Sequence, residues 1–497
     1  MSVIIVFGLV FLSAYFLTKW YKIFLTGIQM PGPLAVPMMG NVQMITKLTP
    51  EKLLFHIQNF RETCGQSFRL WLGPQLWVFL HTPEENRDAL QDSTLRKANT
   101  FLLLDKLIGN GLLISHGKYW ETHRKALGPA FHPNILNSFS ETICQHAGIL
   151  VEILRNLKSN PVEITDYLFP CIMDAIIDTS MGKNLQIQKD QNNQYTHAFH
   201  RTSELLFDRM TNPLLFTDFI YNKTSASKEL DKYLNIIHKL MESVIEERQE
   251  YLKQLKECTE ASFESSNNKR KKPQCLLDTL LTVEIEQQPL SLKEIRDEVN
   301  TFVFAGVDTT TAAMSYVLYA LGKHLGEQQK LVQELQQHNL EYSEYLTAAQ
   351  LNKLEYLDMF MKECLRFYTI VPLTGRQTTQ PTKIGQRTYA AGITLWINMY
   401  GLAHDSTLFE DPMSFKPLRF SKENYEQVTK FSYIPFSAGP HICIGRKYAF
   451  LIMKILTVKI LQKFVVTLKD PREELVLMSQ MVLKAKNGIN LVFKERV

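Results

Sequence analysis

The sequence predicts a mainly α-helical protein with small β-sheets, an α+β fold, and three observations support this class. From about Pro83 to Phe367 the apolar residues recur mostly at helical spacing. Between Ser67 and Leu80 they alternate on either side of Gly73-Pro74, which predicts a β-hairpin. The C-terminal hundred residues mix short strands with loops. Helices should therefore dominate the chain, with small sheets towards its two ends.

Composition narrows the function classes. The 497 residues are 45% hydrophobic and 21% charged, which is typical of a globular chain with enough apolar material for a core. The net charge of +5 is small, and no basic stripe interleaved with aromatic residues is present, so we expect no nucleic-acid partner. The seven cysteines are scattered and never form a Cys-x-x-Cys pair. Reduced thiols are therefore favoured over a disulfide framework or a zinc site.

Residues 1–25 form a predicted transmembrane anchor. No charged residue occurs from Ser2 to Thr18, and Lys19 and Lys22 follow at once. The alternative, a cleaved signal peptide, has its positive residues before the apolar run and a small-residue cleavage site after it. Here the positive charge comes after the run. The positive-inside rule places both lysines in the cytoplasm, and with them the rest of the chain.

Residues 26–40 are predicted to be a hinge rich in proline and glycine, because Pro31-Gly32-Pro33 cannot continue a helix. Length alone would allow about two or three domains in the remainder. The motifs described next are spread from Trp120 to Gly445, and they agree with one another. This consistency predicts one large domain over residues 41–497.

The strongest motif is residues 436–445, here called the cysteine loop, which read Phe-Ser-Ala-Gly-Pro-His-Ile-Cys-Ile-Gly. Cys443 lies between Gly439 and Gly445, just before a helical run from Lys447 to Leu461. A thiolate there receives backbone N–H donors and the positive end of the helix, which lowers its pKa. The glycines let the backbone approach a flat ligand. For any single cysteine, a buried structural role is the alternative.

A second motif, residues 305–310, lies in a long apolar helix whose start is marked by a capping box at Ser291–Glu294. Gly306 costs about 1 kcal/mol relative to alanine inside a helix, so a kink or a closely approaching ligand is expected there. Thr309 can bond the carbonyl one turn earlier, and Asp308 adds a proton source. The alternative is an ordinary buried helix with a threonine-rich face.

Two further motifs carry charge. Glu363 and Arg366 lie on one helix face, a common and individually weak arrangement. Trp120 and Arg124 are one helical turn apart, which is also typical of a half-buried aromatic residue beside a solvated charge. A guanidinium placed in this way suits bidentate recognition of a carboxylate.

The cysteine loop resembles the haem-binding loop of the cytochrome P-450 superfamily, Phe-x-x-Gly-x-Arg-x-Cys-x-Gly. Phe436, Gly439, Cys443 and Gly445 match it, so the resemblance implies that Cys443 is the axial iron ligand of a haem b. His441 stands where the family usually has an arginine that binds a haem propionate. Histidine donates to a carboxylate only weakly unless it is protonated.

The resemblance extends to the other motifs and implies their roles. Residues 305–310 resemble the oxygen-activating helix, in which Asp308 and Thr309 would deliver protons. The implied contacts to the haem propionates are Trp120, Arg124 and Arg376. The implied structural network beneath the haem is Glu363, Arg366 and Arg419, the last from a Phe-x-Pro-x-Arg-Phe segment.

Residues 111–117, 129–132 and 299–304 resemble the microsomal family-four branch, which includes fatty-acid omega-hydroxylases and many arthropod enzymes. Some members carry a glutamate immediately before the helix glycine and form an ester to the haem. Ala305 occupies this position, so the resemblance implies a non-covalent haem.

The implied activity is a haem-thiolate monooxygenase that inserts one atom of O2 into a fatty acid, a hormone-like molecule or a xenobiotic. Electrons would come from NADPH through a flavoprotein reductase, and Arg446, Lys447 and Lys454 are candidates for its docking face. The implied location is the endoplasmic reticulum membrane, with the catalytic domain on the cytoplasmic side. The segments expected to line the pocket, from about Phe101 to Ile114, around Phe304 and after Thr369, are largely apolar, which favours a lipophilic substrate.

Three other functions are alternatives to a monooxygenase. A haem-thiolate isomerase that rearranges peroxides needs no reductase, and the retained Asp308-Thr309 pair argues against it. A haem-binding sensor or carrier without turnover is hinted at only by His441. A cysteine hydrolase that uses Cys443 lacks a histidine in a convincing context.

Overall fold

Helices carry most of the chain in the computed structural model, which describes residues 2–47, 49–190, 193–261, 275–426 and 428–496. The α-helices are α1 (Ser2–Ile28), α2 (Val42–Ile45), α3 (Pro50–Cys64), α4 (Pro83–Gln91), α5 (Asp105–Ile108), α6 (Gly117–Leu127), α7 (Pro133–Ser138), α8 (Ser140–Asn156), α9 (Thr165–Met181), α10 (Gln194–Thr211), α11 (Asp218–Tyr221), α12 (Ser225–Ala261), α13 (Leu276–Thr282), α14 (Leu292–Lys323), α15 (Leu325–Gln337), α16 (Ala348–Leu351), α17 (Glu355–Tyr368), α18 (Met399–Ala403), α19 (Lys422–Tyr425) and α20 (Arg446–Lys463).

Short strands complete the fold, mostly before α4 and after α17. They are β1 (Phe68–Leu72), β2 (Gln75–Leu80), β3 (Arg96–Lys97), β4 (Val162–Glu163), β5 (Glu284–Ile285), β6 (Gln288–Pro289), β7 (Leu373–Gln377), β8 (Thr382–Ile384), β9 (Arg387–Tyr389), β10 (Thr394–Asn398), β11 (Phe464–Leu468), β12 (Leu477–Ser479), β13 (Leu483–Ala485) and β14 (Asn490–Glu495). The mainly helical α+β class is confirmed.

The long helix α14 runs through the centre of the molecule. It begins at the predicted capping box, where the Ser291 hydroxyl accepts from the Glu294 N–H and the Glu294 carboxylate accepts from the Ser291 N–H. Most of its residues are buried, and it packs against α9, α20 and β11. A helix that is apolar over most of its surface is stable only when neighbours cover it on all sides. This position makes α14 the reference element for the site described below.

The largest sheet has the strand order β1-β2-β10-β7-β3. Its first two strands form the predicted hairpin around Gly73-Pro74, with Phe68 opposite Phe79 and Leu72 opposite Gln75. At the far edge, the antiparallel register of β3 and β7 sets Lys97 opposite Arg376. The sheet therefore brings together two cations that are far apart in the sequence.

The N-terminal helix α1 ends at Ile28, within residues 26–40. A search of the described residues finds no helix long and apolar enough to cross a membrane. Most of the side chains between Ser2 and Thr18, on which the anchor prediction rests, lie outside the described residues. The segment that follows α1 is attached to the large sheet, because the Arg69 N–H donates to the Pro31 carbonyl over 2.9 Å.

Candidate functional site

A cavity of about 310 Å³ lies between α14, α6 and the cysteine loop, and we call it the inner cavity. Its walls are mostly apolar. They include Phe101, Leu112, Leu113, Phe131, Ile176, Phe302, Ala305, Leu365, Ile370, Val371, Leu373 and Phe436. The prediction of an apolar lining from the region of Phe101, from α14 near Phe304 and from the segment after Thr369 agrees with these walls, although Phe304 itself is not among them.

The cysteine loop holds Cys443 at the wall of the inner cavity. The Cys443 N–H donates to the Phe436 carbonyl over 3.0 Å, which closes the loop. Gly439 has a φ of 71°, and a Cβ there would lie 2.0 Å from the Leu90 carbonyl oxygen. Only glycine fits this left-handed backbone in so close an approach. The conformation that presents the sulfur therefore depends on Gly439.

The pKa of the free Cys443 thiol is raised, whereas the sequence predicted that it would be lowered. Burial raises its pKa, and the Gly445 N–H together with the positive charges of Arg124 and Lys97 offsets this only in part. The prediction was based on the N–H donors of the loop, which lower the pKa. Desolvation of the sulfur, which raises the pKa, depends on the folded surroundings and is the larger effect here. A metal ion at this sulfur would favour the thiolate directly.

Three cations surround the cysteine side of the inner cavity. Arg124 and Lys97 line it, and the Arg124 Nη2 donates to the Ile442 carbonyl over 2.8 Å. Arg376 is buried beside Lys97, and its Nη2 has no hydrogen-bond partner among the described residues. No carboxylate of the described residues acts on the pKa of any of the three. Three basic side chains without a carboxylate partner among the described residues are suited to binding a group that carries negative charge.

Burial lowers the pKa of all three cations. Burial and the neighbouring Arg376 lower the pKa of Lys97 to about 7. Burial alone lowers the pKa of Arg376 to about 10. Arg124 and Arg376 were predicted from their motifs in the sequence, whereas Lys97 was not. Its only signal is the pairing of β3 with β7, which a sequence pattern does not reveal.

His441 does not act as a further cation. Its imidazole ring lies 3.8 Å from the indole ring of Trp120, measured between ring centroids, with an angle of 37° between the planes. Burial and the positive charges of Lys97, Arg376 and Arg124 lower the pKa of His441 to about 3. It is therefore neutral at physiological pH and serves as an aromatic wall of the inner cavity.

On α14, Thr309 and Asp308 face different surroundings. The Thr309 hydroxyl lines the inner cavity and donates to the Ala305 carbonyl over 2.7 Å, as predicted. Asp308 is not among the described residues that line this cavity. It is buried, and its Oδ2 has no hydrogen-bond partner in the part of the chain that the structure describes. Burial raises its pKa, which the positive charge of Lys484 partly offsets. The two side chains are thus adjacent in sequence but not in one shared wall.

The glycine before this pair has a packing role. A Cβ on Gly306 would lie 3.1 Å from the Ile176 Cδ1 of α9, closer than most real contacts of this kind. A glycine inside a helix lowers helix stability, and the close approach of α9 to α14 is one reason for its presence here. Gly306 also lines the inner cavity, so the missing side chain leaves room both for α9 and for a ligand in the cavity.

The three residues of the predicted structural network lie together: Glu363 and Arg366 in α17, and Arg419 after it in the chain. The Nε and Nη2 of Arg366 donate to the two carboxylate oxygens of Glu363, each over 2.8 Å, and both side chains are fully buried. Arg419 Nε lies 3.6 Å from the same carboxylate. Arg366 also donates to the carbonyls of Ala403 and Pro412. The group ties the segment before the cysteine loop to α17.

The basic residues proposed for partner docking separate into two groups. Arg446 and Lys447 are exposed at the start of α20. Lys454 is buried, and its Nζ binds the Leu351 carbonyl over 3.2 Å and Asp358 over 3.1 Å. Including Lys454 in a docking face was wrong, because α20 is covered by neighbouring elements at this position, about two helical turns beyond Lys447.

A second cavity of about 460 Å³, the outer cavity, adjoins the inner one. Phe101, Val371 and Leu373 line both. The outer cavity extends from these shared residues towards the start of α3 and the end of α10. The two cavities therefore meet at these three apolar side chains, and the inner one lies beside Cys443.

Comparisons with known proteins agree with this geometry. A family model described as cytochrome P450 matches residues 30–493. The chain is 33% identical over 475 residues to cytochrome P450 4d2 of Drosophila melanogaster, which covers 94% of this chain and 94% of the relative. It is 34% identical over 470 residues to cytochrome P450 4V2 of Mus musculus, which covers 93% of this chain and 89% of the relative.

Proposed function

The chain belongs to the cytochrome P450 family and is a haem-thiolate monooxygenase, and we propose that Cys443 ligates its haem iron and that the two cavities accept a lipophilic substrate. One observation carries the proposal. Cys443 lines the same apolar cavity as Arg124 and Lys97, two cations that form no ion pair with a carboxylate of the described residues. A haem has an iron for the sulfur, a flat apolar ring and two carboxylates for the cations, so the residues present fit it.

The cations would hold the haem propionates. Arg124 and Lys97 face the inner cavity, and the unpartnered Nη2 of Arg376 gives a buried donor beside them. Charge-assisted hydrogen bonds of this kind are the strong ones in a protein interior. His441, neutral and in tilted ring contact with Trp120, would contribute that contact in place of a charge. Lys97 would thus provide part of the positive charge beside the propionates that an arginine at position 441 provides in the family.

The haem, when bound, supplies the oxygen chemistry that inserts one oxygen atom into a C–H bond. The chain's own contribution is the control of water and protons. The apolar walls of the inner cavity exclude water. Thr309 holds its hydroxyl proton at the cavity wall, in a hydrogen bond to the Ala305 carbonyl. Asp308 is the buried proton reservoir behind it, because its raised pKa favours a carboxyl that can give up a proton.

The finer assignments follow the family-four relatives. We propose that the haem is not esterified, since Ala305 offers no carboxylate. Electrons would come from NADPH through a flavoprotein reductase that docks on Arg446 and Lys447. Residues 1–25 would anchor the protein in the endoplasmic reticulum membrane, with residues 41–497 on the cytoplasmic side.

Reductase-dependent turnover tests the proposal. Purified protein with bound haem is mixed with an NADPH-dependent flavoprotein reductase and a panel of fatty acids, steroids and xenobiotics. Consumption of NADPH coupled to a hydroxylated product is expected for at least one lipophilic compound. Rearrangement of peroxides without reductase, and no coupled product with it, would favour the isomerase instead.

A further inference from the structure

Glu298 of α14 is a fully buried acidic residue whose two carboxylate oxygens bind two different segments of the chain. The Nδ1 of His123 donates to Oε1 over 3.0 Å. The Leu112 N–H donates to Oε2 over 3.0 Å. A buried carboxylate is strongly destabilising unless it is paired and hydrogen-bonded, so these two contacts are what allows Glu298 to lie in the interior.

The two partners of this carboxylate belong to different walls of the inner cavity. His123 lies in α6 between Trp120 and Arg124, which both line the cavity. Leu112 lines the cavity itself, together with Leu113. One carboxylate therefore joins the helix that carries a proposed propionate-binding cation to the loop that contributes two apolar side chains to the cavity wall.

The loop before α6, residues 109–115, packs closely on the N-terminal third of α14. A Cβ on Gly111 would lie 1.9 Å from the Thr301 Oγ1 and 2.8 Å from the Asp297 carbonyl oxygen. Only glycine permits so close an approach. The Asn110 N–H donates to the Asp297 Oδ2 over 3.0 Å, and this carboxylate forms no hydrogen bond with α6 in the described part of the chain. Asp297 therefore anchors the loop without anchoring the helix.

The imidazole of His123 is confined on its other sides as well. It stacks on the ring of Tyr119 at a centroid distance of 3.9 Å, with an angle of 24° between the planes. Its Nε2 lies 3.9 Å from the Glu294 carboxylate, and the side chain is 2% exposed. A ring enclosed in this way has little rotational freedom, so its bond to Glu298 fixes α6 against α14. The next residue of α6, Arg124, is fixed with it.

From these contacts we propose that Glu298 is a positioning residue for two sides of the site at once. Through His123 it fixes the arginine that would bind a haem propionate. Through Leu112 it fixes the apolar wall that would contact the substrate. The inference rests on the proposed function, which supplies the haem and the lipophilic substrate. It adds a physical link between haem retention and the shape of the substrate wall.

The helix side of the link is tested by the rate of haem transfer from the haem-loaded full chain to an excess of apomyoglobin. Glu298→Met and His123→Phe should each lose haem about fivefold faster than the wild type, because both lack the bond that fixes α6. His123→Asn is the rescue variant, since its amide N–H can replace the donor at Nδ1, and its rate should stay within about twofold of the wild type. Glu242→Gln is the matched control, because it removes a partly exposed ion pair with Arg296 of the same helix α14.

The loop side is tested with two ligands of the haem iron, imidazole and 1-decylimidazole, in optical titrations of the same samples. Both ligands bind through the imidazole nitrogen, so the gain in affinity of decylimidazole over imidazole measures the contact of the alkyl chain with the apolar wall. Glu298→Met and Asp297→Leu should lower this gain about threefold or more, because the loop loses an anchor. His123→Phe should keep the gain within about twofold of the wild type.

Four results would overturn the inference: haem loss from His123→Phe at the wild-type rate, an unchanged alkyl gain in Asp297→Leu, wild-type behaviour of Glu298→Met, or equal changes of both quantities in all three variants. The His123 and Asp297 variants decide the inference even where Glu298→Met does not fold. The carbonyl spectrum of the reduced wild type is recorded separately. A wild type with the thiolate–carbonyl band and with unaffected variants refutes the inference alone. A haem-bound wild type without that band refutes the proposed function, while the rates of haem loss still report on Glu298.

Discussion

The imidazole of His441 lies against the indole of Trp120 at a centroid distance of 3.8 Å. This contact explains how a histidine is accommodated where relatives are expected to have an arginine. Three cations already surround the position, so a protonated imidazole would be repelled and a neutral ring is favoured. The substitution transfers the neutralisation of a bound anion to Lys97, Arg124 and Arg376.

His441→Arg is expected to strengthen haem retention. The new guanidinium would add a charge-assisted contact to a propionate, and haem loss should slow about fivefold or more. Transfer of haem to an excess of apomyoglobin measures the rate. His338→Arg, at an exposed site at the end of α15, is the control and should leave the rate unchanged. Faster haem loss from His441→Arg would contradict the assignment of the cation cluster to the propionates.

Lys97 makes the stability of the haem-free protein depend on pH. Its pKa falls from its usual value near 10 to about 7 in the folded chain, so the unfolded chain binds more protons between these values. Stability should therefore rise as the pH increases from about 7 to about 10, and Lys97→Met should flatten that rise. Urea unfolding at several pH values measures the difference. Identical pH profiles for the two proteins would show that Lys97 is not held in a desolvated site.

Thr309→Ala should uncouple electron consumption from product formation. The variant lacks the hydroxyl at the wall of the inner cavity, so proton delivery is impaired while substrate binding is retained. Product formed per NADPH should fall about tenfold or more, since a positioned proton donor contributes on this scale or above it. Thr309→Ser keeps the hydroxyl and is the matched control. Full coupling in Thr309→Ala would exclude a role for this side chain.

Glu363→Gln should destabilise the fold strongly. It leaves the buried guanidinium of Arg366, and the nearby one of Arg419, without their carboxylate. Breaking one partner of a buried pair costs about 3–5 kcal/mol. The free energy of unfolding in urea measures this cost. Asp411→Asn removes the exposed carboxylate that pairs with Lys416, and it should change the unfolding free energy little. Equal losses in the two variants would contradict a structural role for the buried network.

The sequence was sufficient for the features that depend on local pattern. The hairpin of β1 and β2 and the capping box of α14 are confirmed at the predicted residues. The bond from Thr309 to Ala305 is also confirmed, since it spans one helical turn. These features are encoded in residues close together in the chain, which is where sequence patterns are informative.

Features that depend on contacts between segments far apart in the chain could not be predicted from the sequence pattern. Lys97 reaches the site only because β3 pairs with β7. The pKa of Cys443 was predicted in the wrong direction, because the enclosure of the loop depends on the whole fold. Asp308 and Thr309 are adjacent in sequence, but only Thr309 lines the inner cavity. Burial likewise removed Lys454 from the basic face.

The central claim is that the sulfur of Cys443 is the iron ligand, and the carbonyl difference spectrum of the reduced protein tests it most directly. The wild type should give the band of a carbonyl complex with a thiolate ligand. Cys443→Ser should lose that band, while Cys364→Ser, which alters a buried cysteine that is not among the lining residues of the inner cavity, should keep it. A thiolate–carbonyl band retained in Cys443→Ser would contradict the account.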